Sequence, residues 1–321
     1  MMDCRVLDAL NADQVLQTMC TRISTPFSVV DIVEKISKVK DEKECDDAFF
    51  VMNVNQVFAQ ESEWRKHLPR VEPFYSVKCN SDPVLLRCLA ALGLGFDCSS
   101  KNEVDEVLKI PGVTPDQIIY ANPCKSRNYI QHAKNKGVQL TVFDNEEELF
   151  KIKDLFPDAK LVLRIAVCDP TANIQVGAKF GCDPISAAPV LLQKAAEMNL
   201  QVVGISFHVE GGCNDPKVIA DGISRARKLF YDGSLLGHEM SLLDIGGGYP
   251  GFPTTKTSFN QIAKVVNSAL DTFLPRASWG GADYRGAGKV FCRRLHAVLQ
   301  CDLQSTRPPP AKSQETVRSF F

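Results

Sequence analysis

The chain has 321 residues, of which 45% are hydrophobic and 23% are charged, and its formal net charge is −1. This length suffices for one large barrel or two ordinary domains, and the composition is that of a globular protein. The small net charge gives no reason to expect nucleic acid as a partner. No apolar run approaches the roughly 20 residues that a membrane-spanning helix needs.

Twelve cysteines are scattered through apolar segments, and no two of them have C-x-x-C spacing. This pattern predicts reduced, mostly buried thiols rather than a disulfide framework or a zinc site. The first residues, Met1-Met-Asp-Cys-Arg5, lack the apolar core of a secretory signal. We therefore expect a cytoplasmic protein without a metal site.

The chain order of the predicted elements favours a parallel sheet. Residues 5–45 predict an irregular, partly helical segment, and residues 47–53 predict a strand. From there, short runs rich in Val, Ile, Leu or Phe alternate with amphipathic segments, which is typical of strands buried on both faces. Further strands are predicted at residues 73–78, 95–99, 118–122, 139–143, 160–166, 202–208 and 241–245.

Helix signals fill the gaps between these strands. Ser100-Lys-Asn-Glu103 begins a helix in a capping-box pattern, and Asp144-Asn-Glu-Glu147 follows the same logic. Residues 190–199 have an amphipathic period, and Ser258-Phe-Asn-Gln261 begins another helix. Such alternation predicts β/α units, and an eighth strand is needed if they are to close as a barrel. In barrels of this kind the chemistry lies at the C-terminal ends of the strands, where the unusual residues of this chain fall.

Lys78 is the most informative of these residues, because it ends an apolar run in which a lysine is costly to desolvate. A lowered pKa would leave its amine free to form a Schiff base with an aldehyde cofactor. By itself, such a lysine could equally be a solvated strand end. Asp97 and Arg164 also lie within apolar runs, and Arg164 needs an anionic partner, either in a site or in a structural ion pair. Capping alone could explain Glu103.

A glycine turn and a histidine extend this pattern. Gly246, Gly247 and Gly248 follow the last predicted strand, and their N–H groups could form an anion nest. Gly211, with the glycine after it, could add amide donors. His208 could stack on a planar ring or be a satisfied core histidine. Together with Lys78, these residues indicate a planar, phosphorylated, lysine-linked ligand, namely pyridoxal 5′-phosphate (PLP).

Five motifs carry a resemblance to a known family. They are Pro73-Phe-Tyr-Ser-Val-Lys-Cys-Asn80, Gly95-Phe-Asp-Cys-Ser-Ser-Lys101, Tyr120-Ala-Asn-Pro-Cys-Lys125, Ser206-Phe-His208 and Leu243-Asp-Ile-Gly-Gly-Gly248. With them, roughly residues 45–275 resemble eukaryotic ornithine decarboxylase and its non-catalytic relatives, the antizyme inhibitors. The resemblance implies a PLP-binding, TIM-like β/α barrel of the alanine racemase type, a C-terminal β-domain and a head-to-tail homodimer.

The implied activity is PLP-dependent decarboxylation of an amino acid, by default ornithine to putrescine in polyamine biosynthesis. Lysine, arginine and apolar amino acids remain open as substrates. Two alternatives also remain open. One is a regulatory binding protein of the antizyme inhibitor type without catalysis, and the other is an inactive truncated isoform.

The resemblance also implies roles for individual residues. Lys78 would be the Schiff-base lysine, and His208 would stack on the pyridine ring. Polar contacts around the cofactor would come from Asp97, Glu103 and Arg164, and the phosphate would be held by Gly246, Gly247 and Gly248. Gly211 stands where the decarboxylases have a phosphate-binding serine, so weaker cofactor binding is expected.

The family binds antizyme through a basic surface on the fourth β/α unit. Between Asn122 and Thr141 this chain has no acidic residue. The basic residues implied in antizyme binding are Lys125, Arg127, His132, Lys134 and Lys136. The same run could be a solvated helix face without a partner.

After Pro275 the resemblance ends. Family members continue with Arg-Ile-Ile-Ala-Glu-Pro-Gly-Lys-Phe, the eighth strand of the barrel. Codons allowed for residues 283–291, read one base later, spell Ile-Ile-Ala-Glu-Pro-Gly-Lys-Phe, so we infer a change of reading frame near Pro275. Sequencing the transcript across this junction tests that inference.

The expected organisation is therefore threefold. Residues 1–45 form an N-terminal segment, residues 46–275 a PLP-binding barrel without its eighth strand and β-domain, and residues 276–321 a non-family, disordered tail. With two unpaired strand edges, this polypeptide is expected to be poorly folded and nearly inactive, whereas a full-length product of the same gene would be a decarboxylase.

Overall fold

The structure, a computed structural model, describes residues 11, 13–21, 28–167, 179–209, 215–250, 257–275 and 289–292. Among these, residues 11–20 and those from 54 onward belong to one compact unit, and residues 21 and 28–53 belong to a second. Within the same ranges, no helix has both the length and the apolar character needed to cross a membrane.

The larger unit is a closed barrel of eight parallel strands arranged in chain order. The strands β1 to β8 are Val71–Ser76, Gly95–Cys98, Ile118–Tyr120, Leu140–Phe143, Lys160–Ile165, Gln201–Phe207, Leu242–Asp244 and Lys289–Cys292. This confirms the predicted β/α barrel. Seven strands coincide with predicted ones to within about two residues at each end, as expected for short, buried parallel strands.

Helices follow or precede the strands, and the predicted cap at Ser100 is confirmed, whereas the helix after β4 is capped by Asn145 rather than by Asp144. The helices α1 to α10 of the described residues are Gln14–Met19, Val29–Glu42, Val54–His67, Pro83–Ala91, Lys101–Leu108, Arg127–Lys136, Glu146–Leu155, Ala188–Glu197, Lys217–Leu235 and Phe259–Phe273. The helix start predicted at Ser258 is confirmed, and it is a capping box: the hydroxyl of Ser258 accepts from the N–H of Gln261, and the Gln261 side chain accepts from the N–H of Ser258.

The interior of the barrel is filled by apolar side chains from several strands. The central cluster consists of Phe74, Ile119, Val142, Val162 and Leu242. Because side chains alternate across a strand, a residue two positions beyond a member of this cluster also faces inward. Three of these positions, Ser76, Arg164 and Asp244, carry buried polar residues, and they form part of the floor of the candidate site.

The helix α3, which precedes β1, covers the side of the barrel beside α10. Its Trp64 is fully buried, and the ring lies 5.4 Å from the Tyr249 ring and 5.5 Å from the Phe259 ring. The indole N–H donates to the carbonyl of Val71 at 3.0 Å. This aromatic cluster joins the start of β1 to the segment that follows the glycine turn.

Residues 47–53 were wrongly predicted as a strand. They have no regular secondary structure, and Val54 begins α3. A strand needs a neighbour to satisfy its backbone groups, and the smaller unit has no other described strand that could pair with this segment.

The barrel lacks the family's own eighth strand, as predicted, but the two edges that were expected to be unpaired are closed by another segment. The family's Ile-Ile-Ala-Glu-Pro-Gly sequence is absent, but Lys289–Cys292 takes its place and pairs in parallel with both β1 and β7. Val290 is opposite Val71 on one side and Leu243 on the other. Backbone pairing does not depend on side-chain identity, so an unrelated short segment can satisfy both edges. The predicted disordered tail thus contains a strand, and its other residues lie outside the described ones.

Candidate active site

A layer of five polar side chains lies inside the barrel, directly above the apolar cluster. Ser76 is opposite Asp97, while Ser206 is opposite both Arg164 and Asp244. Their exposed fractions range from 0% to 8%. Buried polar atoms normally have hydrogen-bond partners, yet Ser76 Oγ, Asp97 Oδ1 and Ser206 Oγ have none among the described residues. This polar floor is therefore suited to a polar ligand or to water.

Lys78 lies just beyond the polar floor, at the mouth of the barrel. The strand β1 ends at Ser76, and Val77–Cys79 form a 3₁₀ turn, so the strand stops two residues earlier than predicted. The Lys78 side chain is exposed rather than buried, which corrects the expectation that desolvation acts on it. Among the described residues its amine has no hydrogen-bond or ion-pair partner. It is thus accessible to an aldehyde that enters the mouth.

The glycine turn after β7 is folded tightly against the end of β6. Gly246 has φ +67°, and a Cβ at that position would lie 2.2 Å from the carbonyl oxygen of Phe207. The N–H of Gly247 donates to Nδ1 of His208 at 2.9 Å. This bond fixes the orientation of the half-buried imidazole at the mouth and requires Nδ1 to be unprotonated.

The turn offers fewer anion-binding donors than the sequence predicts. The Gly246 N–H is bound to Asp244 Oδ1 at 2.9 Å, and the Gly247 N–H is bound to His208. Of the three, only the Gly248 N–H has no partner among the described residues. Gly211, the other predicted contributor to phosphate binding, lies outside the described residues.

Glu103 serves as a helix cap. Its carboxylate accepts hydrogen bonds from the Ser99 N–H at 2.8 Å and from the Ser100 hydroxyl at 2.9 Å, and Ser100 Oγ accepts from the Glu103 N–H. Both carboxylate oxygens are therefore used at the start of α5. Asp97, in contrast, lies on the inner face of β2 within the polar floor.

Arg164 is held by a turn that returns to the mouth. Its guanidinium carbon lies 5.3 Å from the centre of the Phe180 ring. The next residue, Gly181, donates its N–H to Asp144 Oδ2 at 2.8 Å, and the Cys182 N–H donates to the Arg164 carbonyl at 3.0 Å. Phe180 is thereby fixed against the cation, which favours a defined orientation of the guanidinium.

Lys125 is buried, so its predicted role in binding antizyme is wrong. Its side chain is 1% exposed, and Nζ lies 2.7 Å from Oε1 of Glu148, which is fully buried. Nζ also donates to the carbonyls of Asn122 at 2.9 Å and Val142 at 2.7 Å. Burial lowers the pKa of the Lys125 amine, and the attraction of Glu148 opposes that shift. The pair ties the loop after β3 to α7.

The other four basic residues lie on α6, where acidic residues of both neighbouring helices face them. The ion pairs are Arg127–Asp154, His132–Asp105 and Lys136–Asp105. Lys134 Nζ donates to the carbonyl of Leu155. The run is therefore partly neutralised by its surroundings. The sequence alone did not show this, because the acidic partners belong to the helices before and after α6.

Sequence reasoning missed four candidate site residues, Ser76, Ser206, Asp244 and Phe180. A signal was available for the first three: each lies two residues before Lys78, His208 or Gly246, and period-two alternation gives them a common face. No local signal indicated Phe180, because its position depends on the return of the chain to β5.

Comparison with known proteins gives a consistent family. The model of the pyridoxal-binding domain of pyridoxal-dependent decarboxylases matches residues 54–281. Ornithine decarboxylase of Panagrellus redivivus is 52% identical over 271 residues, which cover 84% of this chain and 62% of that protein. Antizyme inhibitor 2 of Xenopus laevis is 44% identical over 252 residues, covering 78% of this chain and 55% of that protein.

Among solved structures, the arginine decarboxylase of Paramecium bursaria Chlorella virus bound to agmatine is similar, with a TM-score of 0.73 and 30% identity. The match covers 82% of this chain and 68% of that one. This chain spans between 55% and 62% of the length of the two curated relatives above.

The residues of the mouth fit the cofactor that such a domain binds, PLP. The accessible amine of Lys78 can condense with the aldehyde of PLP. Asp97 Oδ1, which has no hydrogen-bond partner among the described residues, can accept a hydrogen bond from a polar, protonated ring. The Gly248 N–H can donate a hydrogen bond to one phosphate oxygen. The phosphate end is the weaker part of the fit, because two of the three glycine donors are already bound within the protein.

Proposed function

Because the chain belongs to the pyridoxal-dependent decarboxylase family, we propose that it provides the cofactor-binding part of an amino-acid decarboxylase of the ornithine type. The observation that carries the proposal is the accessible amine of Lys78 just beyond a buried polar floor, since neither the amine nor several atoms of the floor have a partner among the described residues. A structural role alone gives no reason to leave such atoms unsatisfied.

Each group of the mouth has a proposed task. PLP, when bound, accepts the electron pair left behind as carbon dioxide departs. Lys78 holds the cofactor through its amine and moves a proton at Nζ. Asp97 holds a proton at the ring, and Arg164, oriented by Phe180, balances the charge of Asp97 and Asp244. His208, oriented by its bond to Gly247, covers one face of the ring.

Ornithine is the proposed substrate, with putrescine as the product and polyamine biosynthesis as the context. Support comes from the similarity to ornithine decarboxylase of Panagrellus redivivus. We further propose that the full-length product works as a homodimer, as the resemblance implies.

The test combines cofactor binding with turnover. Absorbance titration with PLP should give a saturable spectral change in this chain that is lost in Lys78→Arg, and borohydride reduction should mark Lys78 in peptide mapping. Carbon dioxide release from ornithine, lysine and arginine is measured in parallel with a chain extended to the length of the relatives. Saturable labelling at another lysine, with Lys78 unmodified, would contradict the proposal.

A second candidate function is binding of an antizyme-type partner, supported by the 44% identity to antizyme inhibitor 2. With Lys125 excluded, the proposed surface is α6, where Arg127 and Lys136 remain 59% and 43% exposed. Antizyme should co-purify with the chain, and Arg127→Glu together with Lys136→Glu should abolish capture. Capture that is unaffected by both changes would exclude this surface.

A further inference from the structure

The end of α2 brings an amine and a thiol together through its backbone geometry. The N–H of Glu44 donates to the Asp41 carbonyl at 3.1 Å, and the N–H of Cys45 donates to the Lys40 carbonyl at 3.0 Å. Glu44 has φ +50°, in the left-handed region. These are the hydrogen bonds of a Schellman motif, in which the side chains at the positions of Lys40 and Cys45 normally meet in an apolar contact.

Here that contact is chemically unusual. Lys40 Nζ lies 2.9 Å from Cys45 Sγ, and the Phe49 ring lies 6.0 Å from the same nitrogen. Asp47 Oδ2 lies 3.6 Å from the sulfur. The hydrogen bond to Cys45 and the nearby negative charges raise the pKa of the Lys40 amine. The amine is thus held against the sulfur by a backbone motif, an aromatic ring and a carboxylate.

Both side chains are partly accessible. Cys45 is half-buried and is a free thiol, and Lys40 is half-buried in the same unit. Peroxides oxidise accessible cysteines to sulfenic acids. Sulfenic acids formed in this way condense with a nearby nitrogen when one is within reach.

We propose that Lys40 and Cys45 form an oxidation-dependent covalent cross-link with hydrogen peroxide as the oxidant. The thiol attacks one peroxide oxygen, the O–O bond breaks, and one water leaves, so that sulfur is oxidised by two electrons to a sulfenic acid while peroxide is reduced. The Lys40 amine then attacks the sulfur. The N–S bond forms, the S–O bond breaks, and hydroxide leaves with the amine proton as a second water.

The motif explains why this pair, rather than other thiols, should cross-link. Cys124 is exposed, and among the described residues its sulfur accepts one hydrogen bond, from the amide N–H of Asn145 at 3.4 Å. No lysine amine of the described residues is hydrogen-bonded to this sulfur, so its sulfenic acid should persist or oxidise further. Cys124 is therefore an internal control within the same chain. The proposal is independent of the proposed decarboxylase function.

The experiment treats the full chain with a small excess of hydrogen peroxide, digests it with trypsin, and maps the peptides by mass spectrometry. Cleavage after Lys43 should yield two peptides joined through Lys40 and Cys45, with the mass of their sum less two hydrogens. Dithiothreitol should separate them. The same product should form in Lys43→Arg, a neighbouring control, and should be lost in Lys40→Arg and Cys45→Ser.

Two outcomes would overturn the proposal. One is oxidation of Cys45 to sulfinic acid in the unmodified chain with no joined peptides. The other is an equal yield of joined peptides from Lys43 or from Cys124. Far-ultraviolet circular dichroism of Lys40→Arg checks that α2 is retained, so that a lost cross-link reports on the amine rather than on the fold.

Discussion

At the scale of single residues, the glycine turn makes a sharp prediction. Gly246→Ala should lower both stability and cofactor affinity, because the positive φ disfavours a side chain and its Cβ would lie 2.2 Å from the Phe207 carbonyl. Gly237→Ala is a matched control with φ +84° and no atom within 4 Å of the added Cβ. Thermal unfolding should show a clearly larger loss for Gly246→Ala, and equal losses would mean that the close approach is unimportant.

The buried pair of Lys125 and Glu148 makes a second prediction. Glu148→Gln should lower the free energy of unfolding by roughly 3 kcal/mol, because it leaves the ammonium group buried without a counter-charge. The loss is limited by the ability of Lys125 to deprotonate. Asp154→Asn, which removes the exposed partner of Arg127, should have almost no effect. Urea unfolding of the two variants compares them directly, and similar midpoints would contradict this assignment.

Single residues also show which features of the candidate site could be predicted from the sequence and which could not. Lys78, Asp97 and Arg164 stood out because charge within an apolar run is rare, and the barrel brings Asp97 and Arg164 into one floor. Lys125 looked like its basic neighbours, since nothing local shows that Glu148, 23 residues later, is its partner. Burial of a charge is decided by such distant contacts, which periodicity does not encode.

At the scale of elements, the Asp13 carboxylate links α1 to α4 of the barrel. Asp13 caps α1 through the N–H groups of Val15 and Leu16, and it pairs with Arg87 of α4 at 2.7 Å. Burial opposes ionisation, but these bonds outweigh it and lower the pKa of Asp13 below its ordinary value of 3.8. The folded state therefore binds a proton less readily than the unfolded state does.

The sign of the pH dependence follows from that shift. Stability contributed by Asp13 is present above about pH 4 and is lost as the pH falls through the folded pKa. In Asp13→Asn, which keeps a capping side chain, the loss of stability should be full at neutral pH and should shrink below pH ~4. Arg87→Ala should weaken the same dependence. Parallel stability curves for the wild type and Asp13→Asn across acid pH would contradict the prediction.

Helices and strands could be predicted where the sequence of the segment alone determines its structure. Short apolar runs gave seven strands of the barrel, and capping signals at Ser100 and Ser258 gave two helix starts. Residues 47–53 have a similar apolar character, but their unit has no described strand with which they could pair. For β8 the reverse holds, because Lys289–Cys292 has little strand signal and is placed by two open edges. Whether a segment forms a strand therefore depends on an available neighbouring strand as much as on its own sequence.

At the scale of the whole molecule, closure of the barrel depends on residues unlike the family's own eighth strand. The closing strand contributes backbone pairing to β1 and β7, whose edges would otherwise be exposed along the barrel wall. Pairing of this strand explains how the barrel closes, but it does not explain catalysis. The described residues form this closed barrel within a chain that spans 55% to 62% of the length of the two curated relatives.

Two chains shortened by stop codons separate the contribution of β8 from that of the residues after it. A chain ending before Lys289 should unfold at a lower temperature, bind more of a hydrophobic dye and aggregate, because both strand edges are exposed. A chain ending before Cys301 keeps β8 and should behave like the whole protein in the same assays. If the two truncated chains melt at the same temperature, Lys289–Cys292 does not close the barrel. PLP binding that survives in the longer chain alone would show that the mouth requires the closed wall behind it.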